Sequence, residues 1–160
     1  MPASSQPNLV VYDRERSEGG RLTVAGVDEA GRGCWAGPVV AAAVILPDGW
    51  CPAALDDSKK LTARRREALC GEIRTGALSW GACAVSSAEI DRVNILQATL
   101  QGMARSLHKL HTGPDLVLVD GLQVPDVPWT AEAVVKGDGT SACIAAASIL
   151  AKVFRDRIMT

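Results

Sequence analysis

No apolar run in this chain approaches the roughly 18 residues that a membrane-spanning helix needs. The opening "MPASSQPNLVV" has no basic flank leading into an apolar segment, so no secretory signal is expected either. A cytoplasmic location is the expectation that follows. No C-x-x-C pair occurs. The five cysteines, Cys34, Cys51, Cys70, Cys83 and Cys143, are odd in number and scattered, which argues against a disulfide framework and against a zinc site. Four of them are expected as small apolar fillers, whereas Cys34, beside a glycine loop, is a candidate exposed thiol. Charge of one sign is lacking too: the net charge of −1 leaves no general footprint for a polyanion partner. Internal repeats and interdomain linkers are absent.

What is present is a chain of 160 residues, 48% of them apolar, enough for one globular domain with a real core. Residues 1–20 mix Ser, Pro, Gly and charge and read as a loose lead-in, with "LVVY" as a candidate edge strand; residues 21–160 form the domain proper. "RLTVAGVD", "PVVAAAVIL", "LSWGACAVS", "PDLVLVDG" and "AEAVVKGD" read as strands, the last ending near Asp138. Helices are expected over 62–75, opened by Thr62, and over 140–159, begun by Thr140 or Ser141. In the latter, Ala145, Ala146, Ala147 and Ser148 would let a neighbour approach closely. Between them, Val93, Leu96, Leu100, Met103, Leu107 and Leu110 recur at spacings of three and four, and Asn94 with Gln97 forms a capping box. Strands first, then strand and helix interleaved, predict an α/β fold in which a mixed sheet carries helices on its faces.

Three strand-like segments finish at acids: Asp28 with Glu29, then Asp120, then Asp138. Each acid alone is explained well enough as a turn former or helix cap. "VDEAGRG" is harder to explain that way, because an adjacent acidic pair followed by G-R-G has no evident packing use. Side chains at the ends of adjacent, like-directed strands project into one crevice, the usual ligand site of such sheets. Asp28 and Glu29 point to opposite sides of their strand, so one of them must reach in from the turn. Two carboxylates about 4 Å apart repel by about 4 kcal/mol at an effective dielectric of 20, so a cluster of four needs protons or a cation. Oxygen donors without His or Cys suit a hard ion, Mg²⁺ or Mn²⁺, and leave positions for water and phosphate.

The same loop also fits G-x-G-x-x-A through Gly31, Gly33 and Ala36, a dinucleotide fingerprint. Pro38 and the β-branched run after it favour a strand where that motif requires a helix, and Asp28 and Glu29 would repel the pyrophosphate. In "DSKKLTARRREAL" five cations, Lys59, Lys60, Arg64, Arg65 and Arg66, crowd a loop and the first helical turns, either as a solvated face or as an anion contact.

From about residue 23 onward the chain resembles the ribonuclease HII family in seven blocks: "AGVDEAGRG", "AGPVVAAAVIL", "DDSKKL", "EIDRVNILQAT", "LVLVDG", "VVKGD" and "AAASILAKVFRDR". Seven blocks in register are highly specific. The resemblance implies a ribonuclease H-like fold with a central mixed five-stranded sheet. It implies metal-dependent hydrolysis of the RNA strand of RNA/DNA hybrids, and cutting 5′ to ribonucleotides embedded in duplex DNA, with two Mg²⁺ or Mn²⁺ ions engaged. It places the four catalytic, metal-binding carboxylates on Asp28, Glu29, Asp120 and Asp138, and the motif that reads the ribose 2′-OH on Gly31, Arg32 and Gly33. Lys59, Lys60, Ser148 and Lys152 are candidates for substrate phosphate contacts.

Ser148, Lys152, Arg155 and Asp156 fall on one stripe of the terminal helix, where Asp156 would support the metal site or pair with an arginine at the surface. Family members continue past the "AKVFRDR" block with further helices and a tyrosine that packs on a sugar. Tyr12, the only tyrosine here, is not assigned that role, and the domain is expected to be C-terminally incomplete. A hybrid-binding chain of the same fold with impaired catalysis is the alternative. A monomer acting on hybrid or ribonucleotide-containing duplexes is expected.

Overall fold

The computed structural model describes residues 8–33 and 37–159, with the side chains of 56–59 outside the description. Five strands form one sheet: β1 (Val24–Ala30), β2 (Val39–Ile45), β3 (Ser79–Val85), β4 (Leu116–Asp120) and β5 (Thr130–Val134). Their order is β3-β2-β1-β4-β5. The first three make an antiparallel meander, while β4 and then β5 add in parallel to β1. The expected mixed five-stranded sheet is therefore present.

The two faces of the sheet are covered by different helices. α5 (Ala142–Met159) and α2 (Ala63–Gly76) pack on one face, burying Ala42 and Val44 of β2 against Ala146, Leu150 and Leu69. α4 (Ile95–His108) packs on the other, where Met103 and Leu107 meet Ala25, Val27, Ala43 and Val117. β2 is buried along its whole length, which explains why its sequence is continuously apolar rather than alternating. The small residues of α5 act as expected, and β1 answers them with Gly26. A Cβ there would lie 2.5 Å from the Cys143 carbonyl oxygen. Helix and strand therefore touch backbone to backbone.

Two readings are corrected. The "LVVY" stretch is not an edge strand; it lies in a helix, α1 (Asn8–Arg16), that buries Leu9 and Val10. A short apolar run carries no periodicity of its own, and here its tertiary partner decides. The Asp13 carboxylate accepts from Ser141 Oγ at 2.6 Å and from the Cys143 amide at 2.8 Å, capping α5. Tyr12 packs beside it against Val24, Leu116, Leu118 and Ile144. α1 is thus packed against the core through Leu9, Val10 and Tyr12.

The helix expected behind the Asn94–Gln97 cap is present as α4, and a shorter helix that the sequence did not announce, α3 (Ser87–Val93), precedes it. Asn94 ends one and opens the other with φ at 93°, its Oδ1 accepting from the Gln97 amide at 2.9 Å. The second correction is that β5 stops at Val134, short of Asp138, because Lys136 takes a left-handed conformation and Gly137–Gly139 forms a 3₁₀ turn.

Of the cysteines, Cys70 and Cys143 are buried as expected, Cys51 and Cys83 only half so, and Cys34 lies outside the described residues. No helix among the described residues is long and apolar enough to cross a membrane.

Candidate active site

The opening pair sits where β1 runs out of the core. Val27 pairs with Val119 across the parallel β1–β4 ladder, so the next residue of each strand, Asp28 and Asp120, ends side by side. Asp28 shares its sheet face with Gly26 and is 4% exposed; Glu29 points to the α4 face and is half-buried. One oxygen from each of Asp28, Glu29 and Asp120 nevertheless lies within 4.8 Å of the others. Both acids lie on β1, which stays paired with β2 through Ala30, so the expectation that one of them reaches in from the turn is not met.

Electrostatics at this point are unfavourable. Burial, then a side-chain hydrogen bond with Glu29 and the charges of Glu29 and Asp120, push the Asp28 carboxyl well above the usual range. The Glu29 amide, donating to Asp28 Oδ1 at 2.8 Å, offsets this only in part. Burial and neighbouring carboxylates both disfavour the charged form of Asp28, a cost that a cation would relieve. The donor set consists of carboxylate oxygens only and so fits a hard divalent ion.

Asp138 lies outside this trio. It is half-buried on the 3₁₀ turn that follows β5, one residue after Gly137, whose amide donates to Asp120 Oδ1 at 2.6 Å. Gly137 is buried with Ile144 beside it, and a Cβ there would lie 2.5 Å from Ile144 Cδ1. The turn that carries Asp138 is thereby tied to Asp120.

Gly31 is half-buried and Arg32 and Gly33 are exposed, immediately after the acidic pair. The element that follows is β2, not a helix, so no helix N-terminus is available for a dinucleotide pyrophosphate. Ala36 lies outside the described residues. A groove on the α4 face runs from Glu29 and Asp120 past Leu96, Leu100 and Met103 to Leu122. The sequence did not single out its apolar floor, because those residues read simply as core positions of α4.

The basic segment divides. Arg64 and Arg65 are exposed, Arg66 is half-buried and donates to the Leu61 carbonyl at 2.8 Å, Lys60 is exposed, and the Lys59 side chain lies outside the description. On α5 the expected polar stripe is broken. Lys152 and Asp156 pair at 3.5 Å near the surface, Ser148 is half-buried, and Arg155 turns inward at 8% exposure. Its Nε donates to the Pro38 carbonyl at 2.9 Å. Asp156 therefore has a lysine where an arginine was expected. The inward Arg155 went unrecognised because its helix position alone does not show what loop lies over it.

A profile described as ribonuclease HII matches residues 25–160. The ribonuclease HII of Pelobacter propionicus is 49% identical over 158 residues, covering 98% of this chain and 72% of that protein. The Delftia acidovorans ribonuclease HII is 62% identical over 134 residues, 84% of this chain and 57% of that protein. The chain therefore spans 57–72% of the length of these two relatives. Among solved structures, the ribonuclease H2 of Pyrococcus horikoshii superposes with a TM-score of 0.73 at 29% identity, over 86% of this chain and 74% of that one. Carboxylates gathered at adjacent parallel strand ends, the five-stranded mixed sheet and these likenesses agree: the chain belongs to the ribonuclease HII family.

Proposed function

We propose that this chain is a metal-dependent endonuclease that hydrolyses the RNA strand of RNA/DNA hybrids and cuts 5′ to ribonucleotides embedded in duplex DNA. The products are 5′-phosphate and 3′-hydroxyl ends. The observation that carries this reading is the convergence of Asp28, Glu29 and Asp120 within 4.8 Å. Membership of the family supports the substrate class.

In this reading Asp28, Glu29, Asp120 and Asp138 hold Mg²⁺ or Mn²⁺, two ions during the reaction. Bound there, such ions supply an activated water and neutralise charge on the phosphoryl and leaving 3′ oxygens. Asp28 must give up its proton to serve as a ligand, and its raised pKa makes that step sensitive to pH. Asp120 keeps one oxygen engaged with the Gly137 amide, which fixes the orientation of its carboxylate. Gly31, Arg32 and Gly33 present backbone and guanidinium to the sugar, where the 2′-OH distinguishes RNA from DNA. The absence of a Cβ lets backbone groups approach closely. Lys59, Lys60, Ser148 and Lys152 contribute contacts to substrate phosphates, and the chain acts as a monomer.

The test is cleavage of a duplex carrying one ribonucleotide, with and without Mg²⁺ or Mn²⁺. Wild-type chain is expected to cut 5′ to the ribonucleotide only with the ion, and Asp28→Asn to lose that cutting. Undiminished cutting by Asp28→Asn sinks the assignment. Binding of the duplex with no product under either ion instead favours a chain that holds hybrids without cutting them.

A further inference from the structure

The loop between β1 and β2 is bracketed by two glycines with positive φ, Gly31 at 96° and Gly37 at 92°. One side chain occupies the space beneath both. A Cβ at Gly31 would overlap Arg155 Nε and lie 2.7 Å from the Pro38 carbonyl oxygen. A Cβ at Gly37 would lie 3.2 Å from Arg155 Nη2 and 2.6 Å from Met159 Sδ. The guanidinium therefore runs from one end of the loop to the other, with Nε bonded to the Pro38 carbonyl at 2.9 Å.

Burying a guanidinium is costly unless its donors are used, and a planar fork with donors at fixed angles is suited to holding backbone in one place. Arg155 is carried on α5, whose residues Ala147, Leu150, Ala151 and Val153 are locked in the core, so the fork has a rigid base. The loop it supports carries Arg32 and Gly33, one turn beyond Asp28 and Glu29. A solvated surface charge would have served neither purpose.

We propose that Arg155 is a positioning residue for the Gly31–Arg32–Gly33 segment and so sets the preference for a ribonucleotide over a deoxyribonucleotide. The inference rests on the reading that this segment meets the ribose. Arg155 acts through the loop. Lysine cannot replace it, because the Nε–H that Pro38 accepts becomes a methylene, and the chain retains charge without the fork.

Binding is measured in the Asp28→Asn background, where cutting is expected to be absent, with two duplexes that differ in a single 2′-OH. Adding Arg155→Lys is expected to lower the ribonucleotide preference by about tenfold or more, since displacements near 1 Å in a positioned site cost up to 10²-fold. Amide exchange at Gly31–Gly33 should quicken while Val117–Val119 stay protected. Gly37→Ala, which presses on the same guanidinium from the loop side, should give the same loss and carries the test if the α5 variant fails to fold.

An unchanged preference in both variants overturns the proposal. Equal weakening toward both duplexes also overturns it, since that is the mark of a plain phosphate contact. If Asp28→Asn alone shows no preference, the reading of the G-R-G segment fails and this inference with it. If Asp28→Asn still cuts, the catalytic assignment fails separately.

Discussion

Gly26 and Ile144 meet backbone to backbone: a side chain at Gly26 would collide with the Ile144 amide nitrogen and the Cys143 carbonyl carbon. This contact sets the height of α5 over β1, two residues before Asp28. Neither partner can retreat, since both belong to the buried core. Gly26→Ala should therefore cost at least the upper end of the ~1–3 kcal/mol typical of overpacking. Urea unfolding, read as a lower midpoint at unchanged slope, checks it.

Asp28 should make the metal-free chain less stable as pH rises. Its folded pKa is held well above 3.8 by burial and by Glu29 and Asp120, so between the unfolded and folded values the native state binds more protons than the unfolded state. Stability then falls as pH climbs from about 4 through the raised value. Asp28→Asn cannot ionise and should flatten this dependence, melting higher than wild type at neutral pH without metal. Thermal melts in chelator across pH measure it, and an equal slope in both proteins would refute the assigned cause.

Divalent ion should reverse that order. Ions that bind only the folded state stabilise by mass action, so Mn²⁺ should raise the melting temperature of wild type and leave Asp28→Asn nearly unmoved. Titration calorimetry on the two chains gives the same comparison without heating.

Asp13→Ala removes the acceptor that caps α5 through Ser141 Oγ and the Cys143 amide. A loss of about 0.5–2 kcal/mol is expected. Asp13 lies beside Val24 and Cys143, toward the start of β1, whereas Asp28 lies near its end, so cleavage by the folded fraction should be unchanged. A drop in cleavage without a drop in stability would show that the cap communicates with the site.

Asn94→Ala should be worse than Asn94→Gly. The backbone at φ 93° and ψ 165° is a conformation that essentially only glycine adopts freely, so alanine loses the cap to Gln97 and adds strain of about 1–3 kcal/mol. Glycine loses the cap but relieves the strain. Equal destabilisation by the two would show the backbone there to be unstrained.

Much of the site was legible before folding. "VDEAGRG" is improbable as packing, and the run of apolar residues before Asp28 marked a buried strand, so the acidic pair was expected at a strand end. Asp120 after "LVLV" followed the same logic, and the ladder places it beside Asp28. Asp138 did not follow it. Val134 and Val135 look like strand, but Lys136 in the left-handed region breaks the pleat and a 3₁₀ turn carries the acid instead. α1 was missed for a different reason: the side chains that justify it, Leu9, Val10 and Asp13, find their partners in α5 and the sheet, more than a hundred residues away in the case of Asp13.

Hydrophobic pattern and motif spacing by themselves determined the kind of fold, the strands and most helices, and the strand positions of Asp28, Glu29 and Asp120, because these follow from local periodicity and from chemistry written at fixed positions. Tertiary structure alone decided that Asp28 is buried beside Glu29 and Asp120, which raises its pKa, that Asp13 caps a helix it never approaches in sequence, and that Arg155 turns in beneath Gly31 and Gly37. Burial, charge coupling and close backbone approach depend on which distant segments meet, and a linear pattern carries no record of that meeting until the sheet brings β1, β4 and α5 together.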